Sequence, residues 1–344
     1  MKKIINIGEV QIGGGNQIAI QSMTNTLTAD TASTIAQINA LASAGATLVR
    51  IAVPDEESIQ AIPAIVKGAK VPIIGDFHFD TKLAIDGIKK GLHKIRINPG
   101  NMSKHTIADI VICAKEHNVP IRVGVNKGSV IGDNSPSRLA ELTADSAKLI
   151  EDLGYDNIVL AAKSSNVLQT IEANRCLNKL SNYPLHIGLT EAGYGEFATI
   201  KSAIAIGALL NDGIGDTIRV SIAGNPIKEV EVAKAILRAC GKEKDFVEII
   251  ACPTCARCDV DIEYLAKEID ELAKKLAIPL KIAVMGCIVN GIGEGKDADF
   301  GVASGKERSV IFLKGKPYKT VENSLVLSEM RILLEKFAND GTTR

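Results

Sequence analysis

Two stretches hold the densest chemistry in the chain. Cys252-Pro253-Thr254-Cys255-Ala256-Arg257-Cys258 and Met285-Gly286-Cys287-Ile288-Val289-Asn290-Gly291-Ile292-Gly293-Glu294 contain four of the seven cysteines. Two thiols three residues apart can grip one metal centre from a tight loop, and a third from a later element can close the site. Pro253 fixes its own φ and biases Cys252 toward an extended backbone, which keeps both sulfurs facing one point. Glu294, in a Gly-rich loop, offers an oxygen where a fourth thiolate would otherwise stand. Three chemistries fit this pattern: an iron–sulfur cluster, a structural zinc and a redox dithiol. Zinc usually closes its site with Cys or His, and no His lies in the last third of the chain, so the cluster ranks first. Cys258 competes with Cys287 as third ligand, and spacing does not decide between them.

A second constellation lies in short aliphatic runs that carry charges. Arg50, Arg96, Arg122 and Lys163 sit in or at the end of four different runs, with Arg219 and Ser221 in a later one. Charge inside an apolar strand is costly unless something pairs it. Four such cations at one mouth would bind a multiply charged anion, and the guanidinium fork suits phosphate oxygens. Asp76 and Glu191 are the acids legible on the same rim, with Asn98 and Asn126 as neutral neighbours. Asp76, His78 and Glu191 are candidates for orienting hydroxyls or moving protons. Cations and a cluster on one chain suggest redox or Lewis-acid work on a phosphate ester.

The elements that must position these residues follow from periodicity. Eight aliphatic runs, at 18–23, 48–53, 71–76, 94–98, 120–125, 157–162, 185–190 and 217–222, alternate with amphipathic stretches. Helical patterns at 31–44, 81–90, 104–118, 137–153 and 226–240 end at Gly or before Pro, as helix stops do. Eight strand–helix units over about 240 residues predict a (β/α)8 TIM barrel, with function at the C-terminal strand ends. A doubly wound open sheet is the runner-up. Gly13-Gly14-Gly15 reads as a hairpin turn at the barrel bottom in preference to a phosphate nest. After Gly241 a charged linker leads to a smaller mixed α/β domain. It has strands at 246–251, 280–285, 300–303 and 309–313 and helices at 261–276 and 324–337. The expected domains are 1–241 for the anion and 246–344 for the metal.

Composition excludes several classes. Forty basic and forty acidic residues cancel, so no bulk positive surface points to nucleic acid or anionic membrane. The chain is 46% hydrophobic but 3% aromatic and lacks Trp, which describes an aliphatic core of buried parallel strands. The apolar run after Met1-Lys2-Lys3 is too short for a signal peptide, and the most apolar stretch, 203–210, is too short for a membrane span. Seven cysteines without a secretory signal suggest a reducing cytoplasm.

Several motifs are individually specific: Gln21-Ser22-Met23-Thr24-Asn25-Thr26, Ile95-Arg96-Ile97-Asn98-Pro99-Gly100, Gly215-Asp216-Thr217-Ile218-Arg219-Val220-Ser221, and the two cysteine stretches. Together they resemble the 4-hydroxy-3-methylbut-2-enyl diphosphate synthase family in its short two-domain form, over essentially the whole chain. The resemblance implies a [4Fe–4S] cluster on Cys252, Cys255, Cys287 and Glu294. It implies reductive ring opening and dehydration of 2-C-methyl-D-erythritol 2,4-cyclodiphosphate, with electrons from a flavodoxin or ferredoxin. It places diphosphate contacts on Arg50, Arg96, Arg122, Lys163 and Ser221, with Asn126 beside them, and it implies a homodimer in which the cluster domain of one subunit closes over the barrel of the other. Ala256 and Ile292 depart from the Gly and Pro common in the family, and neither removes a ligand. The competing readings are a pterin-binding methyltransferase-type barrel with a zinc-stabilised appendage, and an iron–sulfur carrier.

Overall fold

The computed structural model describes residues 2–77, 80–98, 102–126, 135–274, 276 and 278–341. The chain divides into two compact units, Met1–Lys242 and Glu243–Arg344.

The first unit opens with an antiparallel hairpin, β1 (Ile5–Ile7) and β2 (Val10–Ile12). Strands and helices then alternate: β3 (Ala19–Met23), α1 (Thr31–Ala44), β4 (Leu48–Ala52), α2 (Glu56–Gly68), β5 (Ile73–Asp76), α3 (Thr81–Lys89), β6 (Lys94–Ile97) and α4 (Lys104–Glu116). The alternation continues through β7 (Ile121–Asn126), α5 (Pro136–Glu151), β8 (Ile158–Lys163), α6 (Val167–Leu180), β9 (His186–Ile187), α7 (Gly195–Asn211), β10 (Thr217–Ile218) and α8 (Pro226–Ala239). Strands β3 to β10 form one parallel sheet in the order β8-β7-β6-β5-β4-β3-β10-β9. A parallel bridge from Leu160 of β8 to Leu185, one residue before β9, joins its edges into the barrel.

Seven of the eight barrel helices begin at an Asp, Ser or Asn whose side chain accepts a backbone N–H of the first turn. The exception is α7, which starts at Tyr194 without a side-chain cap. Its approach bends through positive φ at Glu191 (52°), Gly193 (110°) and Gly195 (64°). That loop is shaped by something other than helix initiation.

The barrel interior is layered. Ile5, Ile7 and Ile12 of the hairpin pack against Ala19, Leu48, Ile74 and Val159 and close the N-terminal end. The hairpin turn is Gly8-Glu9, and Gly13-Gly14-Gly15 forms the exit from β2 instead, so the glycine triplet does not make the hairpin as its composition suggested. A Cβ at Gly13 would lie 2.0 Å from the Lys3 carbonyl oxygen, which explains why no larger residue serves there.

The second unit has a five-stranded sheet in chain order: β11 (Val247–Ala251), β12 (Leu280–Met285), β13 (Phe300–Ala303), β14 (Arg308–Leu313) and β15 (Lys316–Glu322). The first three run parallel, and β14 pairs antiparallel with both β13 and β15. Alternation gives this sheet two faces. Leu280, Ile282 and Val284 pack with α9 (Ile262–Ala273) and α11 (Val326–Gly341). Ala283, Met285, Ala303 and Phe312 form the other cluster, with Ile292 of α10 (Ile288–Glu294) against it. Glu294 therefore closes a helix, where a loop was expected. The glycines make this helix possible: a Cβ at Gly291 would fall 2.7 Å from the Met285 Cβ and 3.1 Å from that of Ala303. They let α10 lie directly on the sheet.

Candidate functional site

Strand alternation puts Lys94 and Arg96 of β6, and Arg122 and Gly124 of β7, inside the barrel. At the C-terminal end these strands surround a cavity of about 200 Å³, several times the roughly 30 Å³ of one bulk water. Its walls carry Arg50, Arg96, Arg122, Lys163 and Arg219, five cations, with Asp76, Thr190 and Ser221.

One carboxylate cannot balance that set. Asp76 lies 3.2 Å from Arg96 and 3.6 Å from the Arg50 Nε. Arg50 otherwise donates to the Met23 thioether at 2.9 and 3.1 Å, a weak acceptor that neutralises nothing. Burial brings the Arg50 guanidinium down to about 10. Arg219 reaches Glu229 at 3.9 Å. Glu229, from the first turn of α8, is an acid that inspection of the strand ends misses. Burial raises its carboxyl above the usual range, and Arg219 opposes that shift. Arg122 is 4% exposed and makes no ion pair among the described residues. The buried Nε atoms of Arg96, Arg122 and Arg219 find no acceptor among the described residues. Three orphaned cationic donors around one cavity are a demand for an anion.

Among the described residues Lys163 has one hydrogen-bonding partner, the His186 Nε2 at 3.1 Å, and the other ring nitrogen lies 2.6 Å from the Thr217 hydroxyl. Where Lys163 is an ammonium, Nε2 accepts and Nδ1–H donates to Thr217, although burial and Arg122, Arg219, Arg50 and Arg96 push the Lys163 proton affinity well below the ordinary lysine range. Burial and the surrounding cations hold the imidazole well below its usual range, which keeps it neutral. Gly188 leaves room for this chain, since a Cβ there would stand 2.2 Å from the Arg219 carbonyl and 3.3 Å from the Lys163 Nζ. His186 and Lys94, both fully buried, were not singled out from sequence.

The remaining expected residues separate. Glu191 is exposed and lines an adjoining cleft with Tyr194, Ser221 and Glu229, so Ser221 faces both spaces. Asn98 is buried just beyond β6 but does not line the cavity. Asn126 is the last residue of β7, and His78 lies outside the described residues.

In the second unit, Cys252 follows β11 and Cys287 follows β12 by two residues, at the same end of adjacent parallel strands. The Cys252 Sγ accepts from the Gly286 N–H at 3.1 Å and packs in the cluster that holds Ile292. Cys287, at the N-terminus of α10, and Glu294, its last residue, flank the same helix, and Cys255 is exposed in the loop after β11. Among the described residues no three of these donors are gathered into a metal-holding group. Their chemistry fits a cluster: three free thiols and a carboxylate, carried by the loop after β11 and by the two ends of α10. Cys258 is diverted. Its Sγ donates to the Val260 carbonyl at 3.1 Å and belongs to the α9 cluster on the opposite face of the sheet.

An anion-demanding (β/α)8 barrel joined to a thiol-bearing α/β unit defines a two-unit class of barrel protein. Both units match family models, the GcpE TIM-barrel domain over residues 2–234 and the GcpE protein C-terminal domain over 248–336. Relatives include the 4-hydroxy-3-methylbut-2-en-1-yl diphosphate synthase (flavodoxin) of Caldanaerobacter subterraneus subsp. tengcongensis, 47% identical over 98% of this chain and 97% of that protein. The protein of the same name from Thermotoga maritima is 47% identical over 99% of both. The chain belongs to the GcpE family. Among solved structures, Yersinia pestis dihydropteroate synthase aligns with a TM-score of 0.53 at 13% identity, covering 70% of this chain and all of that one. Clostridium difficile type I 3-dehydroquinate dehydratase aligns with a TM-score of 0.54 at 14% identity, over 70% of this chain and 99% of the other. At such identity these two show the barrel fold alone. The pterin-binding reading gains nothing from the first, and the family supports the reductase instead.

Proposed function

We propose that this chain is an oxidoreductase that opens and dehydrates 2-C-methyl-D-erythritol 2,4-cyclodiphosphate to 4-hydroxy-3-methylbut-2-enyl diphosphate. The observation that carries the reading is the five-cation cavity with one carboxylate among its described lining residues, in a chain of zero formal net charge. Flavodoxin as electron donor is supported by the relatives' names, with ferredoxin as the other candidate. Cys252, Cys255, Cys287 and Glu294 are the residues proposed to hold a [4Fe–4S] cluster, which would supply two electrons one at a time to the C–O bond that breaks. Arg50, Arg96, Arg122, Lys163, Arg219 and Ser221 bind the diphosphate and stabilise the charge that grows on it as the ring opens. Asn98 and Asn126, just beyond β6 and at the end of β7, are the residues proposed to orient substrate hydroxyls. Glu191, beside Ser221 in a strained backbone conformation, is the candidate that delivers a proton to the departing oxygen, with Asp76 and His78 as the other proton-handling candidates. Domain roles follow: residues 1–241 bind substrate and 246–344 carry the cluster.

A homodimer is part of the same reading. Tyr194, Phe197, Ile200 and Ile204 are exposed along α7, an apolar stripe that a second copy would cover. No helix among the described residues is long and apolar enough to cross a membrane, in keeping with a cytoplasmic enzyme.

The test is iron, sulfide and turnover after anaerobic purification. Four irons and four sulfides per chain, with reduced flavodoxin converting the cyclodiphosphate, are expected. Cys252→Ser and Cys287→Ser should lose the cluster, and Cys258→Ala should keep it. One zinc per chain without sulfide would overturn the redox assignment.

A further inference from the structure

Beneath the cavity the barrel holds a charge that the mouth does not explain. Lys94 is fully buried, one layer below Arg96 on the same strand face. Its Nζ donates to the Gln21 Oε1 at 3.3 Å, and among the described residues no carboxylate pairs with it. The Gln21 Nε2 beside it is buried without a partner. The groups that face Lys94 are Arg122 from β7, Arg50 from β4, neutral Gln21 from β3 and the imidazole of His186 from β9. Every charged neighbour among the described residues is therefore a cation. Most TIM-barrel interiors fill this layer with branched aliphatic side chains.

An ammonium in such a place loses its hydration and meets two like charges. Burial first, then Arg122 and Arg50, push its proton affinity well below the ordinary lysine range. Lys163 is pushed the same way, by burial and then by Arg122, Arg219, Arg50 and Arg96, but it lines the cavity and has the imidazole beside it, so an entering anion meets it directly. A phosphate or diphosphate group above Arg122 and Arg50 would cancel the field that disfavours charge on Lys94.

We propose that Lys94 is a proton-coupled charge under the anion site, an amine in the free protein that becomes an ammonium when a phosphate or diphosphate group enters the cavity. This rests on the anion-binding reading of the cavity. The step balances simply: the Nζ lone pair takes one proton from solvent, one N–H bond forms, and nothing is oxidised or reduced. Linkage then requires that affinity fall by about tenfold per pH unit across the window in which one proton is taken up.

The probe is inorganic pyrophosphate, titrated calorimetrically into the full-length protein and its Lys94→Met variant. Buffers of different ionisation enthalpy between about pH 6.5 and 9.5 report proton uptake, and the variant subtracts the protons that pyrophosphate itself gains. We expect the unsubstituted protein to take up about one proton more per site. Its affinity should exceed the variant's at low pH and converge with it at high pH. Equal uptake in both proteins, or an affinity deficit in the variant that is the same at every pH, would overturn the proposal while leaving the anion site standing. No binding of pyrophosphate at all would overturn the anion site and this proposal with it. Should Lys94→Met not fold, lysine labelled with carbon-13 at Cε reports the same protonation change in the unsubstituted protein. One buried resonance should sit at the neutral-amine position at pH 7 and move to the ammonium position with pyrophosphate. A resonance set that is fully ammonium before pyrophosphate is added contradicts the proposal.

Discussion

At the scale of single residues, the barrel mouth trades stability for binding. Arg122 is buried without an ion pair, and desolvation together with its cationic neighbours holds it well below the usual guanidinium range. Replacing it with Met removes that cost, so Arg122→Met should raise the free energy of unfolding at pH 7 by about 1–2 kcal/mol. The same change should weaken pyrophosphate binding by about 10–100-fold, since a charge-assisted hydrogen bond contributes roughly 1.5–3 kcal/mol. Denaturant melts and titration calorimetry on one preparation check both signs. His186 gives a pH signature. Its folded proton affinity is depressed, so only the unfolded chain binds a proton as pH drops below about 6.5. Its contribution is full above that pH and is lost on acidification, by roughly 2 kcal/mol between pH 6.5 and 5. The stability gap between the unsubstituted protein and His186→Gln should shrink by that amount over this range, as read by denaturant melts at each pH. Arg50, Arg96, Arg122 and Lys163 were legible because strand ends are where a barrel keeps its function. Lys94 and His186 were not, because they lie at or near the start of their strands, although period-two alternation already put Lys94 on the face of Arg96. Glu229 was hidden for another reason. It reaches the mouth from a helix, where an acid in the first turn reads as ordinary helix chemistry.

At the scale of elements, α10 is the piece on which the metal reading depends, since Cys287 and Glu294 stand at its two ends. The sequence offered glycines at 291, 293 and 295, and these read as a loop because glycine weakens helices. Two of them are spaced to approach the sheet, which is why the segment is helical regardless: a Cβ at Gly295 would meet Phe312 at 2.6 Å and Ala283 at 2.9 Å. Gly293 faces open space. Gly291→Val should therefore lift α10 from Met285 and Ala303, cost about 1–3 kcal/mol and lower the iron and sulfide retained after reconstitution. Gly293→Ala should retain both and gain about 0.5–1 kcal/mol from helix propensity. Equal losses in the two variants would mean that α10 contributes only as a flexible tether. Strand β15 escaped the reading for a similar reason of context. Six of its seven residues are exposed, so its sequence shows no apolar alternation, and its strand character comes from pairing with β14.

At the scale of the whole molecule, a chain of zero formal net charge has been partitioned so that cations converge inside one unit and four of the seven cysteines fall in the other. Each unit has its own apolar core: Ile38, Ile62, Ile95, Leu160 and their neighbours around the barrel, and Ile282, Phe300, Val302 and Met330 in the smaller unit. The boundary at 242/243 falls in the charged stretch Lys242-Glu243-Lys244-Asp245. All eleven described residues that line the five-cation cavity precede that boundary. A chain ending at Lys242 should therefore fold and bind pyrophosphate with an affinity within about threefold of the full-length protein, because no contact in the cavity is lost. It should have no reductase activity, since the thiols are gone. Binding must also weaken steeply with salt, because the attraction is between charges that water and ions still reach at the cavity mouth. If the isolated barrel folded, by circular dichroism and a cooperative melt, yet lost pyrophosphate affinity by a hundredfold, the anion site would need residues from beyond position 242. The five barrel cations would then not suffice to hold the anion.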